Sequence, residues 1–411
     1  MPNGTETQNL TGGFGNLQVN VFLNNLVFPA PEATVQIAAA GTEQVIEILQ
    51  TNSLGQLPLV TLPTPPLEYS LLPGGERPFN QYDLLVILEG YSNMLIQNVQ
   101  VYPNSTALQR VVLQPLPQNI LIPYPTLWGD FPPKIPEPAI KRLPVPTDFV
   151  VLPQPVVPEL IVVHAGPPTD ATAPNYTVGF KDYIKNVLSS EIYATWPREA
   201  IKANTLVVLS FTLNRVYTEW YRGKGYNFTI TNSTAFDQAF TYGRNIYKEI
   251  SDVVDEIFTT YVTKPDIIQP LFTQYSDGVR VVRPGWLSQW GSKELADQNY
   301  DALRILKTYY GADIILKQAE KVEGIPSSFP GSTLRVGSTG EPVRTIQRQL
   351  NAISNNFPAI PKLVVDGNFG PKTQEAVRVF QEVFNLPVTG EVDFATWYQI
   401  SNIFVSVERL S

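Results

Sequence analysis

The sequence predicts a multidomain protein: an N-terminal β-sandwich at residues 1–115, a central α+β domain at 169–325 and a C-terminal three-helix domain at 333–403. Three observations predict this architecture. Apolar and polar residues alternate in the first hundred positions, as in half-buried strands. Prolines crowd residues 116–168, and helical periods dominate after them. The 411 residues also exceed what one ordinary hydrophobic core accommodates.

The composition narrows the classes of function. The formal net charge is -8 and Lys and Arg are not clustered, which disfavours a nucleic-acid partner. There is no cysteine, and His164 is the single histidine, so neither a Ser-His-Asp triad nor a histidine-rich zinc site is expected. We predict no metal and no other cofactor. Residues 1–9 lack the basic start of a conventional signal peptide, and no apolar run is long enough to span a membrane.

The strand signal begins in the N-terminal region. Turn-forming residues separate short apolar runs there, and strands at this spacing predict a small β-sandwich. The order of these runs resembles the transthyretin-like regulatory module of carboxypeptidases, which implies no catalysis. The residues that carry the signal are Leu17, Val19, Val21, Leu23, the runs 35–37 and 84–88, and the turns at 52–55, 73–75 and 89–90.

Fifteen prolines lie between Pro115 and Pro168. Proline removes a backbone donor and fixes φ, so residues 116–168 are predicted to be an extended linker rather than a packed domain. An accessible linker of this kind is a preferred site of proteolysis. We expect a processing cut near 149–152.

The central domain has a helical character. Pro197 suits the first turn of a helix, and the following residues 200–220 are apolar nearly all round. This helix is therefore predicted to be central and buried. Residues 245–261 predict a second helix or a helix–strand unit, and residues 295–310 predict a third helix.

Four separated motifs of this domain resemble the stage II sporulation protein D (SpoIID) family. That resemblance implies a SpoIID-like peptidoglycan lytic transglycosylase. The motifs are Tyr183–Ile192, Trp196–Ala203, the pair Asp237 and Gln238, and Ser288–Ser292 followed by Ile305–Tyr310.

The resemblance places Glu191 at the position that the family uses for its catalytic acid. One carboxylic acid suffices for this chemistry if burial raises its pKa, because it first donates and later accepts the same proton. The residues alone leave another interpretation open, in which Glu191 ends one helix beside the positive end of the next. Glu199, one turn into its helix, is interpreted as a partner of the helix dipole rather than as a second catalyst.

Six further residues are candidates for substrate binding. Polar side chains could orient sugar hydroxyls or the N-acetyl group, and aromatic side chains could stack on sugar rings, although hydrogen bonds in turns and core packing are ordinary alternatives for both types. The candidates are Ser288, Gln289, Asp237, Gln238, Tyr193 and Trp196. One departure is clear: Arg283 stands where the family often has a histidine, so a metal site built on that histidine is not expected.

The C-terminal segment resembles the peptidoglycan-binding domain of many wall hydrolases. Its apolar positions follow the helical period, and Pro371 opens the second of three short helices. The glycine-bearing turns could present backbone donors to glycan and peptide, or could serve only as turns. The residues predicted to mark the binding module are Asp366, Gly367, Gly370 and Thr373.

The complete domain order resembles that of spore cortex-lytic enzymes. It implies a zymogen deposited at the spore cortex, activated during germination by a subtilisin-like protease that cuts the linker. It also implies cortex peptidoglycan as the substrate. The alternative from another class is a non-catalytic cell-wall-binding or spore-assembly protein. A zinc-dependent amidase is disfavoured by the single histidine, whereas a hydrolytic muramidase could use the same acid.

Overall fold

The computed structural model describes residues 12–23, 28–42, 44–115, 120–123, 134–141, 155–218, 220–221, 224, 226, 228–319, 321–322 and 332–408. Within these ranges no helix is both long and apolar enough to cross a lipid bilayer.

The N-terminal region is rich in strands, as predicted. Alternate residues of the first strand face the core, so that Leu17, Val19 and Val21 are fully buried. This is the period-two pattern on which the prediction rested. The strands are β1 (Gly13–Leu23), β2 (Phe28–Pro29), β3 (Thr34–Ala39), β4 (Val45–Gln50), β5 (Val60–Thr64), β6 (Asn80–Ile87), β7 (Met94–Val101), β8 (Thr106–Leu113) and β9 (Ile120–Pro123).

In the part of the chain that the structure describes, these strands belong to two five-stranded sheets. One has the order β4-β3-β6-β7-β9. In the other, β1 pairs with β2, β5 and β8, and β8 pairs on its outer side with Ile246–Tyr247 of the central domain. A sheet that runs across the boundary ties the N-terminal region firmly to the central domain. The transthyretin-like assignment stays a prediction.

The predicted linker needs a correction. Residues 134–141 lie against the central domain, where the backbone N–H of Ile135 donates to Ala235 O at 2.6 Å and that of Phe272 donates to Ala139 O at 2.8 Å. Strands β10 (Val156–Val157) and β11 (Leu160–His164) belong to the central domain itself. Proline lacks a donor, but the residues between prolines keep theirs, which makes such docking possible. The expected cut at 149–152 lies outside the described residues.

The central domain is α+β, as predicted. Helix Arg198–Tyr217 packs against the helices before and after it, and nearly all its residues are buried. The remaining elements are β12 (Asn175–Gly179), α1 (Phe180–Glu191), α2 (Arg198–Tyr217), β13 (Ile230–Thr231), β14 (Ile246–Tyr247), α3 (Lys248–Ile257), β15 (Thr260–Thr263), β16 (Tyr275–Ser276), β17 (Leu287–Ser288), α4 (Gln289–Asp297), α5 (Ala302–Tyr310), β18 (Ile315–Gln318) and β19 (Lys321–Val322).

The third predicted helix, residues 295–310, is wrong as a single element. The structure has α4 and α5 instead, because Asn299 adopts a left-handed conformation with φ 63° and interrupts the helix. Asp301 then starts α5 by accepting a hydrogen bond from the backbone N–H of Arg304 at 2.7 Å. The residues at 245–261 form the helix–strand unit, α3 followed by β15.

The C-terminal domain has the three predicted helices: α6 (Glu341–Ile353), α7 (Pro371–Val383) and α8 (Phe394–Glu408). Two buried glutamines organise it in the same way. The Oε1 of Gln347 accepts from Gly367 N at 2.9 Å, and the Oε1 of Gln381 accepts from Gly390 N at 2.8 Å. Each glutamine therefore fixes the glycine turn that precedes the next helix.

We expect Gln381→Ala to destabilise the C-terminal domain by about 1–3 kcal/mol. The substitution leaves the backbone N–H groups of Thr389 and Gly390, which now donate to Gln381, without their acceptor. Urea unfolding of the whole chain measures the loss. Gln374→Ala, on the same helix, is the matched control, and an equal loss in both variants would contradict the role given to Gln381.

Candidate active site

Glu191 is the last residue of α1, and two groups from distant parts of the domain hold its carboxylate. The backbone N–H of Ala239 donates to Oε1 at 2.8 Å, and the Nε2 of Gln289 donates to Oε2 at 3.2 Å. The second bond joins two of the predicted motifs across 98 residues of sequence. Both carboxylate oxygens therefore have a fixed orientation.

The carboxylate lies at a cavity of about 600 Å³. The central domain contributes Tyr193, Gln289 and other residues near Glu191 to its wall. The N-terminal domain contributes Tyr102 and the loop 72–76, so the cavity is shared between two domains. A polar acid in a recess lined by aromatic and apolar groups is the usual form of a binding or catalytic site.

Aromatic rings form one side of the cavity. The ring centroids of Trp196 and Trp290 are 4.9 Å apart, and Tyr193 lies 5.5 Å from Trp196 and 5.6 Å from Trp290. Trp196 is 4% exposed, and its Nε1 donates to Ser70 O at 3.1 Å. Trp196 thus supports the cluster from within and contacts the N-terminal domain, whereas Tyr193 is only partly buried. Both line the cavity, as their predicted role requires.

Tyr275, at the start of β16, is a further cavity residue. The residue is 2% exposed, and its hydroxyl lies near the side chains of Glu191 and Gln238. Burial, and then the charge of Glu191, raise the pKa of this hydroxyl well above its ordinary value. Tyr275 therefore stays protonated and offers a donor inside the cavity.

Lys134 reaches the same cavity from the proline-rich segment. Its Nζ lies 3.9 Å from the centroid of the Tyr275 ring, a cation–π contact. Burial lowers the pKa of Lys134, while the charges of Glu191 and Asp237 oppose that shift. No sequence motif predicted that this residue would line the same cavity as Glu191.

Asp237 and Gln238 were predicted to contact sugar, and the structure corrects this. Both are fully buried and neither lines the cavity. Asp237 accepts hydrogen bonds from Arg215 Nε, from the Tyr221 hydroxyl and from Thr231. Gln238 accepts from the hydroxyls of Tyr183 and Thr212. Their polar atoms make hydrogen bonds within the core, as buried polar side chains usually do.

Ser288 and Gln289 have different positions. Ser288 caps α4, where its Oγ accepts from the backbone N–H of Gly291 at 2.8 Å. Gly278, with φ +78°, lies so close that a Cβ there would meet Ser288 Oγ at 1.7 Å. Ser288 is partly exposed and does not line the cavity, whereas Gln289 lines it and holds Glu191.

Arg283 and His164, the residues considered for a metal site, do not line the cavity that contains Glu191. Arg283, at the family's histidine position, has its guanidinium 5.4 Å from the ring of Trp286. His164 pairs with Asn175 at 2.8 Å within the sheet and stacks on Phe228 at 4.5 Å. His164 is thus the last residue of strand β11.

The candidate residues of the C-terminal module lie at one turn. Asp366 accepts from Gln347 Nε2 at 3.0 Å and from the backbone N–H of Asn368 at 2.8 Å, and the latter bond leads the effects that lower the pKa of Asp366. Gly367 has φ 77°, and Gly370 precedes α7 with open space around it. Thr373 is buried and receives a hydrogen bond from Gln347. Gly370 and Asp366 are therefore the accessible members of this set.

Two family models match the chain. The stage II sporulation protein model matches residues 170–262, and the peptidoglycan-binding domain model matches residues 339–400. These matches contain Glu191 and the glycine turn at Gly367, respectively. They define the class of protein: a sporulation-related cell-wall protein that carries a SpoIID domain and a peptidoglycan-binding domain, with peptidoglycan as its partner.

No curated protein matches the chain significantly. Among solved structures, the SleB N-terminal domain is 33% identical over 18% of this chain and 93% of its own, with a TM-score of 0.16. Catechol 1,2-dioxygenase from an Acinetobacter species is 17% identical over 28% of this chain and 60% of its own, with a TM-score of 0.19. TM-scores this low do not bear on the fold or on the function.

Proposed function

We propose that this chain is the zymogen of a germination-specific spore cortex-lytic enzyme. Its domain order resembles that of the spore cortex-lytic enzyme SleC. In this proposal a subtilisin-like protease removes the N-terminal region, and the activated form cleaves the MurNAc–GlcNAc bond of cortex peptidoglycan as a lytic transglycosylase. The protein would reside at the spore cortex and reach it without a conventional signal peptide.

The observation that carries the proposal is the position of Glu191. Two hydrogen bonds hold its carboxyl group, which lies in a cavity that two domains share and that aromatic rings line on one side. The SpoIID match over residues 170–262 includes this residue. The peptidoglycan-binding match supports a polymer substrate of the same kind.

The proposed reaction uses one acid and no water. Protonated Glu191 donates its proton to the glycosidic oxygen as the bond from that oxygen to C1 of the muramoyl residue breaks. The resulting carboxylate then takes the proton of the 6-hydroxyl while O6 bonds to C1, which gives a 1,6-anhydro ring and restores the acid. The hydrogen bonds from Ala239 and Gln289 hold the carboxylate in one orientation through both steps.

Product analysis tests the proposal. The full chain, with a recognition site for a specific protease introduced within residues 142–154, is incubated with purified cortex before and after the cut, and the released muropeptides are analysed by mass spectrometry. We expect anhydro-muramoyl ends from the cut chain and little release from the uncut chain. Reducing ends would indicate a hydrolytic muramidase. Retained cortex binding without release would indicate the non-catalytic wall-binding protein.

A further inference from the structure

Residues 134–141, called here the docking segment, lie against the central domain and make backbone hydrogen bonds to it. Two glutamine side chains of the central domain make hydrogen bonds to the backbone of the segment. Gln274 Oε1 accepts from Glu137 N at 2.9 Å, and Gln269 Oε1 accepts from Lys141 N at 2.8 Å. Both glutamines also donate back, to Ile135 O at 2.9 Å and to Lys141 O at 3.2 Å. Paired bonds of this kind fix one register and are typical of a bound peptide rather than of a spacer.

An ion pair anchors the middle of the docking segment. The carboxylate of Glu137 accepts from Arg215 Nη1 at 3.0 Å and from Nη2 at 2.7 Å, and it also pairs with Lys141. Arg215 is fully buried and keeps Asp237 as a second partner at 2.7 Å. The segment thus brings one negative charge, Glu137, and two positive charges, Lys134 and Lys141. Its departure leaves the neutral pair of Arg215 and Asp237 behind. Departure of the segment therefore leaves Arg215 with a partner, so undocking does not create an unpaired buried charge at this position.

The first residue of the docking segment brings a cation into the active-site cavity. The ammonium of Lys134 lies 3.9 Å from the centroid of the Tyr275 ring, and both residues line the cavity together with Glu191. A glycosyl-transfer reaction at this site passes through an oxocarbenium-like transition state, which carries positive charge. A fixed ammonium in the same cavity repels that charge and so disfavours the transition state.

The N-terminal domain closes the cavity from another side. Its loop at 72–76 and the ring of Tyr102 form part of the wall, and Tyr102 lies 5.6 Å from Tyr193. Ser70 accepts hydrogen bonds from Thr195 and Trp196, which pins this loop to the aromatic side of the cavity. The docking segment and the loop therefore both lie at the cavity, and both precede the central domain in the sequence.

We propose that the docking segment is an inhibitory ligand of the central domain, held by Glu137 on Arg215 and acting through the ammonium of Lys134. This inference rests on the proposed function and specifies how that activity is restrained. It has a consequence for activation. A cut within 142–154 breaks the covalent link but none of the contacts of the docking segment. The N-terminal fragment therefore stays bound after the cut, and activity rises as the fragment dissociates.

Three single-residue variants of the full chain test this proposal. Lys134→Met removes the cation and keeps the length of the side chain. Glu137→Gln weakens the anchor to Arg215. Lys307→Met, an exposed lysine of α5, is the matched control. Each variant carries the protease site within 142–154, and thermal unfolding checks that each is folded.

We expect uncut Lys134→Met to release muropeptides from cortex at least tenfold faster than the uncut parent chain, and Lys307→Met to match the parent. After the cut, the two fragments of the parent should co-elute in size-exclusion chromatography. A larger share of the Glu137→Gln fragments should elute separately at the same concentration, although the sheet contact between β8 and β14 remains. Dilution of the cut parent should raise its activity per molecule.

Two results would overturn the inhibitory role while leaving the enzyme intact. One is an uncut Lys134→Met that is no faster than the uncut parent although the cut parent is active. The other is immediate separation of the parent's fragments after the cut. If the fragments co-elute but no form releases muropeptides, the proposed enzymatic function fails and the inhibitory role fails with it. The co-elution experiment thus separates the failure of docking from the failure of catalysis.

Discussion

Glu191→Gln is expected to reduce muropeptide release by the cut chain by a factor of about 10²–10⁴, the usual contribution of a general acid and base. The amide has nearly the shape of the carboxylic acid and can still accept the hydrogen bond from Ala239 N, so the fold is kept. It has no proton of suitable acidity for the glycosidic oxygen. Release of anhydro-muropeptides, measured against time by mass spectrometry, gives the factor.

Glu199→Gln is the matched control for this experiment. Its carboxylate also accepts one backbone hydrogen bond, from Ala302 N at 2.7 Å, and it lies in the first turn of α2 without lining the cavity. We expect its activity to stay within about twofold of the parent, because the residue is only a helix-dipole and hydrogen-bond partner. Digestion by Glu191→Gln at the parent's rate would contradict the catalytic role and favour the wall-binding alternative.

Arg215→Met is expected to destabilise the central domain by about 3–5 kcal/mol, the usual effect of removing one partner from a buried ion pair. Burial by itself lowers the pKa of Arg215, but the charges of Asp237 and Glu137 outweigh it and raise the pKa above its ordinary value. The guanidinium is therefore charged throughout the physiological range. Its removal leaves Asp237, which is fully buried, without a cation.

Guanidinium chloride unfolding followed by tryptophan fluorescence measures this loss, because Trp220 lies 5.0 Å from the guanidinium of Arg215. Arg304→Met, an exposed residue of α5, is the control and should change stability by less than about 0.5 kcal/mol. The double variant Arg215→Met with Asp237→Asn should lose less than the sum of the two single losses, because the neutral amide no longer needs the cation. Additive losses would contradict a shared network.

The spacing of apolar residues was sufficient to predict those strands and helices whose burial follows a regular period along the chain. The alternation at Leu17, Val19 and Val21 predicted a buried strand face, and the all-round apolar character of 200–220 predicted the buried α2. The three C-terminal helices followed from the same reasoning. The break between α4 and α5 was missed, because the helical period of the apolar residues was followed across 297–301, although Asn299 and Asp301 favour turns and helix caps.

In the candidate site, too, the sequence predicted some residues correctly and others not. Sequence motifs identified Glu191 and Gln289, and the structure places them in contact. The same motifs also marked Asp237 and Gln238, which turn inward and stabilise the core instead. A motif records which residues a fold requires, but it does not separate those that line a cavity from those that hold its walls. Exposure decides between the two roles, and exposure is set by packing.

The periodicity of the sequence predicted its three regions, and the resemblance of its motifs to known families predicted its class and the candidate acid Glu191, because periods and motifs are formed by residues that are close together in the chain. Only the tertiary structure decided that the proline-rich stretch docks, that Lys134 enters the cavity and that Tyr275 and the loop at 72–76 complete it. Each of these facts joins residues that are distant in the chain. Such contacts depend on how preformed elements pack, and no local pattern of residues encodes which distant partner a side chain will meet.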